Sequence, residues 1–185
     1  MSQIAESMPK KSVRRRTMAL LRRERGATTL EFVLILPFFL LVVFMIIELG
    51  IAFVAQELLD NAARDGARLL RIGTLSGSSY SSALTTAVCD DLTFTNFTLF
   101  PSCTGKIQIY VAATASGSPA GTGFQSLKTA TVNGQTMTQT RASVSANYDV
   151  ILQVGYSFPW SLPGMSLLTG TTLLMSTIAF QTEPY

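Results

Sequence analysis

The sequence predicts an α+β fold: a long N-terminal transmembrane and amphipathic helix, then a small extracytoplasmic domain with an antiparallel sheet of at least three strands. Three observations support it. Sixteen consecutive residues from Phe32 to Ile47 are apolar or proline, small apolar side chains recur at helical spacing after them, and every even-numbered residue from Ala142 to Phe158 is apolar. One helical region followed by strands, without repeated helix-strand alternation, is the α+β order. The expected organisation is a basic leader at 1–26, a transmembrane helix at 27–55, an amphipathic continuation at 56–73 and an outer α+β domain at 74–185.

Charge sets the direction of the chain. The net charge of +3 over 185 residues conceals an asymmetry. Residues 1–26 hold eight Lys or Arg against Glu6 and Glu24, a balance of +6, whereas residues 27–185 hold six basic against nine acidic side chains, a balance of −3. Basic residues flanking an apolar span stay on the cytoplasmic side, so the N-terminus is expected in the cytoplasm and residues 56–185 outside. The same position argues against a nucleic-acid partner, because the basic tail abuts a membrane segment.

From Leu30 to Ala55 the apolar stretch covers 26 residues. As a helix it is about 39 Å long, enough to cross a hydrocarbon core of roughly 30 Å with tilt. A secretory signal peptide would have a shorter apolar region and a small-x-small cleavage site, and "IAFVAQ" places Phe53 where a small residue is needed. Pro37 removes the hydrogen bond to the carbonyl of Val33 and predicts a kink or looseness there. Two carboxylates interrupt the apolar character. Glu31 stands at the cytoplasmic mouth, where the full cost of a charge at the bilayer centre does not apply. Glu48 has two readings, snorkelling at the outer interface or facing a partner helix. Seventeen residues apart, the two point about 100° apart around the axis and form no pair.

Beyond the span, "QELLDNAARDGARLLRIG" puts Leu59, Ala62, Gly66, Leu69 and Gly73 on one face. Asp60 with Arg64 and Asp65 with Arg68 are favourable helical pairs, and Gly73 is a natural helix terminator. The Ala and Gly stripe lets another element approach closely, either this chain's own sheet or a neighbouring subunit.

The outer domain begins with a Ser-rich connection and a short helix from about Ser79 to Cys89. Cys103 follows Cys89 after thirteen residues. Outside the cytoplasm two cysteines most simply form a disulfide, worth on the order of 3 kcal/mol for such a loop; free thiols are the alternative. "NFT" at Asn96 is a glycosylation sequon, a short pattern that recurs by chance. "KIQIYVAA" from Lys106 reads as a strand with Ile107, Ile109 and Val111 on one face. Fifteen of the 27 residues in the 114–140 stretch are Ser, Thr, Gly or Asn, too polar to bury much, so a variable loop with room for a hairpin is expected. The alternation from Ala142 predicts a half-buried strand with a break near Asn147, closed by "FPWSLPG", and a last strand spans about Thr171 to Gln181. Tyr156, Phe158 and Trp160 are expected in the core.

Histidine is absent, which removes Ser-His-Asp and Cys-His catalysis and histidine metal sites, and two cysteines are too few for a zinc tetrahedron. No carboxylate pair stands in a catalytic setting. No enzyme activity, metal or cofactor is expected.

Together the "RRERGATTLEF" boundary, the proline-containing apolar run, "ELG", "NAARDGARLLR", "YDVILQVGYSFPW" and the terminal "AFQTEPY" resemble the TadE-like minor pseudopilins of the tight-adherence branch of type IV pilus systems. The family commonly has Arg-Asn before the closing Glu-Pro; Gln181 and Thr182 stand there instead. The resemblance implies cleavage between Gly26 and Ala27 by a prepilin peptidase, leaving Glu31 as the fifth mature residue. It implies storage in the bacterial inner membrane, incorporation into a pilus, and contacts with other pseudopilins, the major pilin, the inner-membrane assembly platform and the lipid bilayer. Glu31, Pro37, Glu48, Ala62 and Gly66 then become the residues of helix packing and assembly, Glu31 as partner of the free amine of Ala27 in an adjacent subunit. The competing expectation is an uncleaved single-pass anchor whose outer domain binds or senses a ligand.

Overall fold

The computed structural model describes residues 25–93, 99–117, 123–158 and 172–185. The chain divides into two compact units, Met1–Ile46 and Ile47–Tyr185. A long helix, α1 (Arg25–Arg71), contributes to both, and its helical assignment is unbroken across Pro37. In the first unit the apolar side chains from Leu30 to Ile46 are mostly exposed, Phe38 by 74%. Such a helix is long and apolar enough to cross a membrane, and the exposure of its side chains is what a lipid-facing surface requires.

In the second unit α1 is amphipathic. Its buried stripe is Ala55, Leu59, Ala62, Ala63, Gly66, Ala67 and Leu70, spaced three and four apart. The expected stripe is shifted: Leu69 is only half-buried, and Leu70 takes the central position because it lies four residues after Gly66. Among the described residues no Asp60–Arg64 ion pair forms; Asp60 Oδ1 accepts a hydrogen bond from Gln56 Nε2 at 3.2 Å. Gly73, with φ of 76°, ends the helical path in the left-handed region that favours glycine.

Helix α2 (Ser81–Asp91) crosses the stripe at Gly66. A Cβ there would lie 3.0 Å from Val88 Cγ2 and 3.1 Å from Leu84 Cδ1. A single helical turn, α3 (Cys103–Lys106), leads directly into β1 (Ile107–Ala115). The sheet adds β4 (Tyr148–Phe158) and β5 (Thr172–Gln181) in the order β1-β4-β5, antiparallel throughout. Between β1 and β4 lie a 3-10 turn (Gly123–Ser126) and a two-residue hairpin of β2 (Val132–Asn133) and β3 (Thr136–Met137). The expected break falls at Asn147, whose φ is 57°.

One face of the sheet forms the main core with α1 and α2. Val150, Leu152, Val154 and Tyr156 of β4 meet Ile107, Ile109 and Val111 of β1 there, all buried. Phe100 and Tyr156 stack edge to face at 4.9 Å, and Tyr156 donates its hydroxyl to Pro101 O at 2.9 Å. Trp160 and Asn96 lie outside the described residues.

On the second face the described part of the 114–140 stretch is exposed or half-buried except at Gly123 and Met137, and it carries the β2–β3 hairpin. Side chains of the sheet pair its backbone. Gln108 donates to Gln135 O at 2.8 Å and accepts from Met137 N at 2.5 Å. Gln153 accepts from Ala130 N at 2.5 Å and donates to Thr177 Oγ1 at 2.9 Å, and Tyr110 donates to Lys128 O. Buried polar groups are tolerated when satisfied in this way.

Candidate functional site

In the first unit, Gly26 and Ala27 belong to the helical backbone of α1, and Glu31 and Pro37 are exposed on it. Glu31 thus stands on the same apolar, outward surface as its neighbours Leu30 and Phe32. An exposed carboxylate on such a surface is tolerable at a headgroup boundary and costly deeper in hydrocarbon.

In the second unit Glu48 is 6% exposed, in a helix whose other side presents Ile47, Leu49, Ile51, Phe53 and Val54 outward. It is therefore turned into its own unit, away from the exposed apolar surface. Ala62 and Gly66 are likewise buried within this chain's own domain, where Gly66 receives α2. Polar exposed residues begin at Glu57 and continue through Asn61, Arg64, Asp65 and Arg68, so the outward apolar surface of α1 stops near Val54.

The Cys89 and Cys103 sulfurs are bonded, with Cα atoms 5.8 Å apart. The bridge ties the end of α2 to α3 at the entrance of β1. Near it, burial and the neighbouring carboxylates of Asp65 and Asp90 raise the pKa of Asp91 above its ordinary 3.8. Burial pushes Tyr80 up to about 12, against the lowering effect of Arg141, while its hydroxyl donates to Ala142 O at 2.5 Å. Burial also raises Tyr156.

A C-terminal clasp was not legible beforehand. Thr182, 2% exposed, donates its hydroxyl to Ser145 O at 2.7 Å and accepts from Tyr148 N at 2.7 Å, while its amide donates to Tyr148 O at 2.9 Å. Glu183 N donates to Arg71 O at 2.9 Å, and the Glu183 carboxylate lies 3.3 Å from Arg71 Nε. The ring of Tyr185 covers Gly73 so closely that a Cβ there would sit 2.6 Å from ring carbons. Glu183 N thereby satisfies a carbonyl that the helix end leaves open. At the other end of β5, Gln56 Nε2 donates to Met175 O at 3.1 Å. Gln181 and Thr182, the positions that depart from the family's usual ending, are thus engaged: Gln181 Nε2 donates to Ser116 Oγ at 2.5 Å.

Among the described residues no group of three or more His, Cys, Asp or Glu is placed to hold a metal ion. The arrangement is that of an anchored, stapled domain: an exposed apolar helix, a disulfide, and a tail fastened to the helix end. Comparison with curated proteins gave no match, nor did comparison with solved structures. Comparison with protein families matched residues 26–68, from Gly26 to Arg68, to the family described as TadE-like protein. The similarity thus covers the segment that contains the exposed apolar helix and its buried continuation, and over that segment the chain resembles the TadE-like family.

Proposed function

We propose that the chain is a minor pseudopilin: a structural subunit held in the bacterial inner membrane by α1, with its N-terminus in the cytoplasm, and assembled into a tight-adherence pilus after cleavage between Gly26 and Ala27. The observation that supports this most is the TadE-like match itself, which begins at Gly26 and runs through the apolar helix. A small residue before the scissile bond fits a membrane-embedded peptidase site, and the +6 leader keeps that bond on the cytoplasmic side. Cleavage frees an amine at Ala27, and Glu31 on the exposed helix surface is the carboxylate that meets it in an adjacent subunit. Prepilin peptidase, sister pseudopilins, the major pilin and the assembly platform are then its partners.

Intact-mass measurement tests the reading. Protein made with an active prepilin peptidase is expected to lack residues 1–26, and protein made without it to retain them. An unshortened chain beside an active peptidase rejects the proposal in favour of a permanently anchored binding or sensing module. Glu31→Gln is expected to be cleaved normally and to assemble poorly, because burying the partner amine without a counter-charge is costly. Normal incorporation of that variant into filaments removes the role of Glu31.

A further inference from the structure

A cleft of about 550 Å³ opens where α3 meets β1, between the β2–β3 hairpin and the end of β4. Its volume falls in the range of small-molecule sites. On the face that carries Gln108 and Gly155 its apolar surface is the buried side chain of Met137, whereas Ile107 and Phe158, also among the lining residues, turn their side chains to the main core. One wall is held in place by Gln108, whose amide is locked at both ends by the hairpin backbone through Gln135 O and Met137 N. Around this fixed base stand the side chains of Lys106, Gln139 and Gln135, none of which is hydrogen-bonded or ion-paired among the described residues. No acidic side chain is among the lining residues.

This chemistry is selective. Lys106 offers a single positive charge with no carboxylate beside it, which matches one anionic group. The two amides each carry a donor pair and an acceptor, which match neighbouring hydroxyl groups that also donate and accept. The Met137 side chain suits the C–H face of a ring. We propose that this cleft is a binding site for a ligand with one carboxylate on an otherwise neutral, hydroxylated ring, a uronic-acid type of sugar, about one or two rings in size. The site lies wholly within the Ile47–Tyr185 unit and is independent of whether the leader is cleaved.

The test uses the full-length protein in detergent micelles, titrated with galacturonate, galactose and acetate and followed by saturation-transfer NMR. Galacturonate is expected to bind saturably, with galactose and acetate each weaker by roughly tenfold or more. Lys106→Gln is expected to weaken galacturonate binding by about tenfold and Gln139→Ala by about threefold, with unchanged near-ultraviolet circular dichroism, since neither side chain has a partner among the described residues. Absence of saturable galacturonate binding overturns the proposal. So does equal binding of acetate or galactose, which leaves only a generic anion or sugar contact, or undiminished binding in both variants.

Discussion

Replacing Thr182 by valine keeps the shape of the side chain and removes its hydroxyl. The hydroxyl is 2% exposed as part of its residue and serves two backbone groups, Ser145 O and Tyr148 N, each at 2.7 Å. Valine leaves both groups without this partner, next to a methyl that excludes water. A buried polar group deprived of its partner costs about 1–3 kcal/mol, so the two together are worth about 2–4 kcal/mol after some relaxation. That corresponds to roughly a 30- to 1000-fold increase in local opening of the tail. Hydrogen exchange with mass spectrometry on the full-length protein in detergent, reading peptides across 145–149 and 180–185, measures it directly. Thr182→Ser keeps the hydroxyl and should stay near the wild type. Acceleration below about threefold in the valine variant, or an equal effect in the serine variant, would show that the hydroxyl does not hold the tail.

Gly66→Leu should destabilise the domain by about 1–3 kcal/mol, because α2 already stands at contact distance from a Cβ at that point; chemical denaturation should show the loss, with Gly66→Ala much milder. Replacing Cys89 and Cys103 together by serine should lower stability by on the order of 3 kcal/mol, seen as a shift in urea midpoint that the reduced wild type reproduces. Asp91 has a raised pKa, so the native state holds its proton better than the unfolded chain; the stability this gives is present below pH 3.8 and is lost as pH rises towards the raised value. Asp91→Asn should therefore match the wild type in melting temperature below pH 3.8 and exceed it at neutral pH, and a constant gap across that range would contradict the assignment.

Much of the core face was written in plain alternation. Val150, Leu152, Val154, Tyr156 and Phe158 are apolar on every second position, so a period of two identifies both strand and face. Asn147 announced the break because asparagine tolerates the left-handed region. The second face was not legible for a specific reason. Gln108 and Gln153 sit at positions that alternation assigns to solvent, and only tertiary contact with a loop distant in sequence turns them into buried, satisfied groups. Gly66 was visible as a place of close approach, but the sequence offered this chain's own sheet or a neighbouring subunit to fill it; that α2 does so depends on a chain reversal through the 74–80 connection that no local pattern encodes. The clasp shows the same limit: Thr182 looks like an ordinary tail residue until Tyr148 and Ser145 are brought beside it.

The two ties between α1 and the strand beside it have a mechanical meaning. Gln56 meets Met175 at one end, and Arg71 meets Glu183 at the other. Between them the helix advances fifteen residues, about 22 Å, and the strand eight residues, about 26 Å. The lengths nearly agree, so β5 and α1 travel together in the same direction. Tension drawn along the helix axis consequently loads the ties, and the β5 ladder behind them, in shear, so that the bonds resist together instead of opening one after another. A subunit hauled lengthwise by its anchor would meet this resistance at the base of the domain, with the last four residues of the chain acting as its stop.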